Sequence, residues 1–505
     1  MENRATEDRP AQPRQERRAR LRGRLVIAAV AGCAVLGTAL MLLPAERTAP
    51  RAPAPAPGAQ ALTAVAAGVP AALPDLAALI GEREGHLRRH PEDAGSWALL
   101  GTAYVEQGRR TADTTFYTKA ENSLRTSLKV RRSAEALGGL AALANARRDF
   151  RTARTWGEEA RQLEPRRWTT YPALIDAYTG LGDYKAARGA LERLTELRSG
   201  PSVMARAAAV YRDRGWREDA AAQLADAAAG ARVPAERAAY LERAGQLAWE
   251  RGDREDALRH FQEAVRIDPD QRAAQAGQGR ALAALGRTAE ALNAYRTALA
   301  KQPLPQYALE LGELYESLGL GQAARVQYDL LRAAVERAAA GGADEELVLG
   351  QYEADHGDPS SAVRRLRAEW LRQPGIAVAD ALGWALHRSG QDREALRYAR
   401  IATDQVHGGG VRSALYAYHL GMIEWASEQS APARRHLQEA LRINPWFSPT
   451  RVREAREALA ALGDVPDTGL PEESGADESG ADESGADDEG GPVGDAKPVT
   501  PRPYR

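Results

Sequence analysis

The chain has 505 residues, with 68 lysines and arginines against 69 aspartates and glutamates, so its formal net charge of −1 gives no global attraction to nucleic acid or to an acidic substrate. The one cysteine, Cys33, excludes an intrachain disulfide, and the fold must stand on packing alone. Alanine, leucine, arginine and glutamate are favoured helix formers and are heavily used, while aromatic residues make up only 6%; the composition argues for an all-α chain.

Residues 1–24 form a basic tail with eight arginines against four acids, ending in Arg17-Arg18-Ala19-Arg20-Leu21-Arg22-Gly23-Arg24. Leu25 to Leu43 then run for 19 residues without a charge, and Pro44 stops them. As a helix this run is about 28 Å long, close to the roughly 30 Å hydrocarbon thickness of a bilayer. The arginines ahead of it place the N-terminus in the cytoplasm and the rest of the chain outside. Two other readings stay open. A cleaved signal sequence would give a secreted protein, although its apolar region is ordinarily shorter. Val30-Ala31-Gly32-Cys33 has the form of a lipidation site, although the apolar run continues ten residues past Cys33. Lysine occurs only at Lys119, Lys129, Lys185, Lys301 and Lys497; that arginine bias points to a GC-rich bacterial genome.

Residues 44–74 read as a linker. Proline lacks an amide donor and restricts the residue before it, so the alternating Ala-Pro run through Pro57 is expected to be an extended, semi-rigid spacer.

Between residues 75 and 462 the sequence repeats. A Gly-Asp-like turn is followed five residues later by alanine: Gly252 leads to Ala257, Gly286 to Ala291, Gly319 to Ala324. The marker alanines from Ala120 to Ala433 are spaced 33 to 38 residues apart. Seven residues before the turn stands a glycine, as at Gly245, Gly279 and Gly312, and twelve after the alanine a proline closes several units, as at Pro269, Pro303 and Pro374. Each unit is predicted to be two antiparallel helices of about 13 residues, marginal alone. Small residues let the two axes approach, the glycine caps the first helix in a left-handed conformation, and proline ends the second. Such pairs must stack to bury their apolar faces. Asp75–Pro91 reads as a leading half unit and Thr450–Leu462 as a trailing cap.

These marks resemble the tetratricopeptide repeat family over about three quarters of the chain. The resemblance implies a right-handed α-solenoid of about ten helix pairs whose first helices line a concave groove, and a role in binding protein or peptide. By that register the groove of the last two units is expected to present Asp380, Trp384, His387, Arg388, Tyr418, Met422 and Trp425, an aromatic-rich set suited to anchoring a peptide. Toward the N-terminus the groove reads as more polar, with Trp249 among Arg212, Asp213, Glu242, Gln246, Glu250, Arg280, Glu313 and Glu316. The lysines and asparagines with which some family members hold a chaperone's C-terminal carboxylate are missing from these positions.

The tail from residue 463 to 505 is acidic: Glu473-Ser474-Gly475-Ala476-Asp477 recurs twice, and Asp467–Gly491 holds ten acids and no base. It has almost nothing to bury and is expected to be disordered. No metal pair, phosphate loop or nucleophile elbow is present, so no catalytic residue, metal ligand or small-molecule cofactor is expected. His356 lies in a turn and reads as structural. The sequence therefore points to a non-catalytic binding scaffold or assembly factor tethered to a membrane. A ligand-free structural spacer is one alternative, and an enzyme acting on envelope polymers another.

Overall fold

The computed structural model describes residues 57–404 and 410–463. The basic tail, the expected membrane span at 25–43, most of the Pro-Ala spacer, His407 and nearly all of the acidic tail lie outside them. The described residues are all-α, with 23 α-helices and one short 3₁₀ turn, and no helix among them is long and apolar enough to cross a membrane.

Ten helix pairs follow one another: α3 (Ala94–Thr111) with α4 (Thr115–Val130), α5 (Ala134–Ala146) with α6 (Phe150–Leu163), α7 (Tyr171–Gly180) with α8 (Tyr184–Leu197), α9 (Pro201–Asp213) with α10 (Arg217–Gly230), and α11 (Pro234–Glu250) with α12 (Arg254–Ile267). The second five are α13 (Arg272–Ala284) with α14 (Thr288–Lys301), α15 (Pro305–Ser317) with α16 (Gly321–Ala340), α17 (Glu346–His356) with α18 (Pro359–Arg372), α19 (Ile376–Arg388) with α20 (Asp392–Thr403), and α21 (Ala414–Ala426) with α22 (Ser430–Ile443). A single helix, α23 (Arg451–Ala461), ends the array.

Ahead of the ten pairs stand α1 (Pro57–Ala66) and α2 (Leu73–Arg89), which corrects the expected spacer. Its last part is helical and packed, with Ala61, Ala64, Val65 and Ala71 buried against Leu76, Leu79 and Ala103. Proline is tolerated in the first turn of a helix, where its missing amide has no partner to lose. Pro57 therefore starts α1, and the Ala-rich residues after it present an apolar stripe. The leading half unit expected at Asp75–Pro91 is the second helix of a full pair.

Small residues set the crossing inside each pair. A side chain at Gly245 would begin 2.7 Å from the Phe261 ring, and one at Gly279 2.5 Å from Tyr295; Gly312 lies as close to Tyr328. Ala257, Ala291 and Ala324 are at most 1% exposed. At the turns, Asp149, Asp183 and Asp358 cap the second helix by accepting a backbone N–H three or two residues on. Gly182, Gly215, Gly252, Gly286, Gly319 and Gly390 take positive φ, from 71° to 85°. Gly357 is the exception, at φ −131°, because Pro359 holds Asp358 extended.

The solenoid also winds back onto itself. The turn of an early pair meets the connector that follows the pair five units later. Ile376 N–H donates to the Tyr184 hydroxyl at 3.3 Å, 192 residues away, and the Asn444 amide donates to the Trp249 carbonyl at 2.7 Å, 195 residues away. The Gln302 amide reaches the Arg109 carbonyl at 2.8 Å, and Asp344 N–H reaches Arg147 O at 2.9 Å. Arg110 forms a buried ion pair with Asp268 at 2.6 Å and donates to the Ala71 carbonyl, tying the leading pair to the seam. Two successive coils therefore rest on each other.

The turn glycines make that contact. A Cβ on Gly182 would sit 2.5 Å from the Pro374 carbonyl oxygen, on Gly215 2.6 Å from that of Gly410, and on Gly252 3.0 Å from that of Ile443. At Gly286, Gly319 and Gly390, whose backbone conformation is the same, a Cβ meets nothing within 4 Å. Gly286→Ala is expected to cost about 1–2 kcal/mol, the left-handed penalty alone. Gly182→Ala carries that penalty plus a backbone clash of about 1–3 kcal/mol. Urea melts of the two variants check this; equal losses would show that the seam does not hold in solution.

Candidate functional site: a cleft between the coils

Where the second coil closes over the first, a cleft of about 870 Å³ remains. Its floor is made by the inward faces of α9, α11, α13, α15, α17, α19 and α21, and the segments 411–416 and 444–453 cover it.

The floor carries one continuous hydrogen-bonded ladder. Arg212 on α9 grips Glu250 on α11 with two bonds of 2.7 Å. Gln246, one turn back from Glu250, donates to it at 2.9 Å and accepts from Arg280 on α13 at 2.7 Å. Arg280 in turn pairs with Glu310 on α15 at 2.9 Å, and Glu310 also accepts from Tyr295 and Gln306. Gln246 and Arg280 hold the same position, six residues before their turn glycines Gly252 and Gly286, while Arg212, Glu250 and Glu310 come from other positions on the inward faces of their helices. Burial pushes the Glu250 carboxyl up, but Arg212 outweighs it and holds the group below the ordinary glutamate range. Asp213, more weakly served by the same arginine, is raised by burial.

A second cluster closes the C-terminal end. Asp355 on α17 accepts from the Trp384 indole at 2.8 Å and pairs with Arg451 of α23. Burial raises the Asp355 carboxyl, and Arg451 with the indole more than reverses this, so the group stays ionised. Trp384 stacks on His419 with ring centres 4.2 Å apart, and His419 Nδ1 meets both Asp380 oxygens at 3.0 Å.

The structure separates the residues expected to form one aromatic groove. Trp249, Asp380 and Trp384 line the cleft, together with Arg212, Gln246, Glu250, Arg280 and Glu313 of the polar stretch. Trp249 is 7% exposed and Trp384 2%, so both offer an edge rather than a face. Tyr418 and Met422 are core residues, which corrects their expected place in the groove. Tyr418 packs against Phe447 and Trp384 with ring centres 5.4 and 5.6 Å apart. His387 pairs with Asp392 at 2.5 Å, Arg388 lies 3.6 Å from Asp355, and Trp425 is exposed at the end of α21, outside the cleft lining. The physical reason is visible in α19 and α21, which are apolar nearly all round. Such helices are buried on both sides. His419, Tyr416, Asp355 and Arg451 went unnoticed in the sequence, because their meeting depends on the cap helix and the returning coil.

Residues 242–303 and 276–343 match the family model described as Tetratricopeptide repeat. That stretch carries tetratricopeptide repeats. The matched stretch runs from α11 past the end of α16, and the pairs on either side of it share the same architecture. Several solved structures are similar. A tetratricopeptide repeat protein from Parabacteroides merdae is 18% identical, with 52% of this chain and 99% of that one covered and a TM-score of 0.30. Yeast Tom70 is 13% identical over 72% of this chain and 94% of its own, also at 0.30. The Cut9–Hcn1 hetero-tetramer gives 15% identity, 76% and 92% coverage and the same score. No curated protein matches in sequence.

His356 gives the repeat array a pH dependence. It stacks on Tyr328 and lies 3.6 Å from Glu313 and 3.3 Å from Glu316. Burial alone would lower its pKa, but these carboxylates raise it above the ordinary 6.5. A raised folded-state pKa stabilises the protein fully below the unfolded value, and that stabilisation fades as pH rises through the folded value. Thermal melts of wild type and His356→Gln are therefore expected to differ most below about pH 6.5 and to converge above it. A difference independent of pH would contradict the pairing.

Proposed function

We propose that this repeat protein is a non-catalytic scaffold that holds a polypeptide segment in the cleft between its coils, and that its N-terminal apolar run tethers it to a bacterial membrane with the repeats on the outer side. The observation that carries the binding reading is the ladder from Arg212 to Glu310. It fixes a row of polar groups along the floor in advance, so an extended segment meets a preorganised surface and little side-chain ordering is needed on binding. Trp249 and Trp384 add apolar edges, and neighbouring glutamines supply both donors and acceptors for a peptide backbone. The tether reading rests on Leu25–Leu43 and the arginines before it.

Photo-crosslinking amino acids placed at Gln306 or Gln351, on the cleft lining, are expected to capture a polypeptide, while one at the exposed Gln322 on α16 is not. Capture from Gln322 alone would remove the cleft as the binding site. On intact protoplasts, added protease is expected to cleave the repeat region. Full protection would overturn the outward orientation.

A further inference from the structure

The outer helices of the last three pairs are strongly basic. Together α18, α20 and α22 carry ten arginines against four carboxylates, whereas the outer helices α10 and α12 carry four against six. The arginines lie in helical stripes, so each helix offers them on one side. Arg393, Arg397 and Arg400 are all exposed on α20, Arg435 and Arg442 on α22, and Arg364 and Arg367 on α18. Arg393, Arg397, Arg400 and Arg435 have no carboxylate within ion-pair distance among the described residues. A face of uncompensated like charge repels itself and favours an anionic cover.

The chain has such a cover of its own. α23 ends at Ala461, and Arg434 of α22 donates to the Leu462 and Gly463 carbonyls, so the chain leaves the fold beside the basic face. Eight residues later the acidic stretch 472–489 begins, with nine carboxylates and no cation. At about 3.3 Å per residue the eight-residue lead reaches roughly 26 Å and the acidic stretch roughly 60 Å. Crossing from α22 over α20 to α18 spans four helix spacings, about 40 Å at 8–10 Å each. Length, starting point and charge all match.

We propose that the acidic stretch 472–489 docks in cis on the arginine face of α18, α20 and α22. Each exposed pair contributes little, and the contact is a sum of many screened charges. It is therefore salt-sensitive: the screening length falls from about 10 Å at 0.1 M to about 3 Å at 1 M. This face is distinct from the cleft, so the tail and a bound polypeptide do not compete.

The test uses the full chain in detergent, with Cys33→Ala and dyes on Ser484→Cys and Ser360→Cys, the latter exposed at the start of α18. Energy transfer is expected to be high near 0.1 M salt and to fall near 1 M. The Arg393→Glu, Arg397→Glu, Arg400→Glu triple variant is expected to show the low level already at low salt, and Arg435→Glu with Arg442→Glu, made separately, to lower it too, each with an unchanged helical melt. Arg453→Glu with Arg456→Glu, at the cleft mouth, is expected to leave transfer unchanged. Transfer that ignores salt overturns the proposal. So does transfer lost with the cleft-mouth pair and kept with the α20 variant, which would place the tail in the cleft.

Discussion

A glycine turn pressed against a carbonyl of the next coil is the contact on which the architecture depends. Gly182, Gly215 and Gly252 each leave a backbone oxygen from five pairs further on within about 3 Å of where a Cβ would stand. Glycine is needed there twice, for its positive φ and for the missing side chain. The same turn in later pairs keeps the first need and loses the second. A repeat solenoid is ordinarily stabilised between neighbours only. In this chain contacts 192 to 195 residues apart are added, and they join the first half of the array to the second.

The cleft follows from that closure. Without the returning coil the ladder from Arg212 to Glu310 would face bulk water, where exposed ion pairs contribute little. Partly enclosed, with each carboxylate holding more than one donor, the same groups become a fixed polar wall. The cap helix acts similarly at the other end: Arg451 neutralises Asp355, which in turn orients Trp384 against His419. The repeat supplies equivalent positions, and the coil decides which of them are enclosed.

Much of this was legible in the sequence, and for local reasons. The period of the marker alanines, the glycines opposite Phe261, Tyr295 and Tyr328 and the closing prolines all act within a pair or between neighbours. Their spacing alone sufficed to place Gly245, Gly279 and Gly312. The polar stretch containing Arg212, Gln246, Glu250 and Arg280 was also readable, because these residues fall on the inward faces of successive first helices. What failed was burial. Tyr418 and Met422 lie at positions that face a groove in an open array, but the cap helix and Phe447 cover them. Pro57–Ala66 was taken as spacer because prolines precede it, although its alanines and Val65 carry a helical stripe that only a partner helix reveals as core. The seam left one trace, the glycines Gly182, Gly215 and Gly252 of three early turns, and glycine there was already explained by the turn; the first two turns carry Ala112 and Arg148 at positive φ instead.

The coil contact is tested most directly by a distance across it. Arg151 on α6 donates to the Leu371 carbonyl at the end of α18, so spin labels at Thr155 and Leu371 in a Cys33→Ala background straddle the seam. Pulsed dipolar spectroscopy is expected to give one short, narrow distance distribution. A broad distribution at long distances would show an open spring with no enclosed cleft, and the account built on closure would fail.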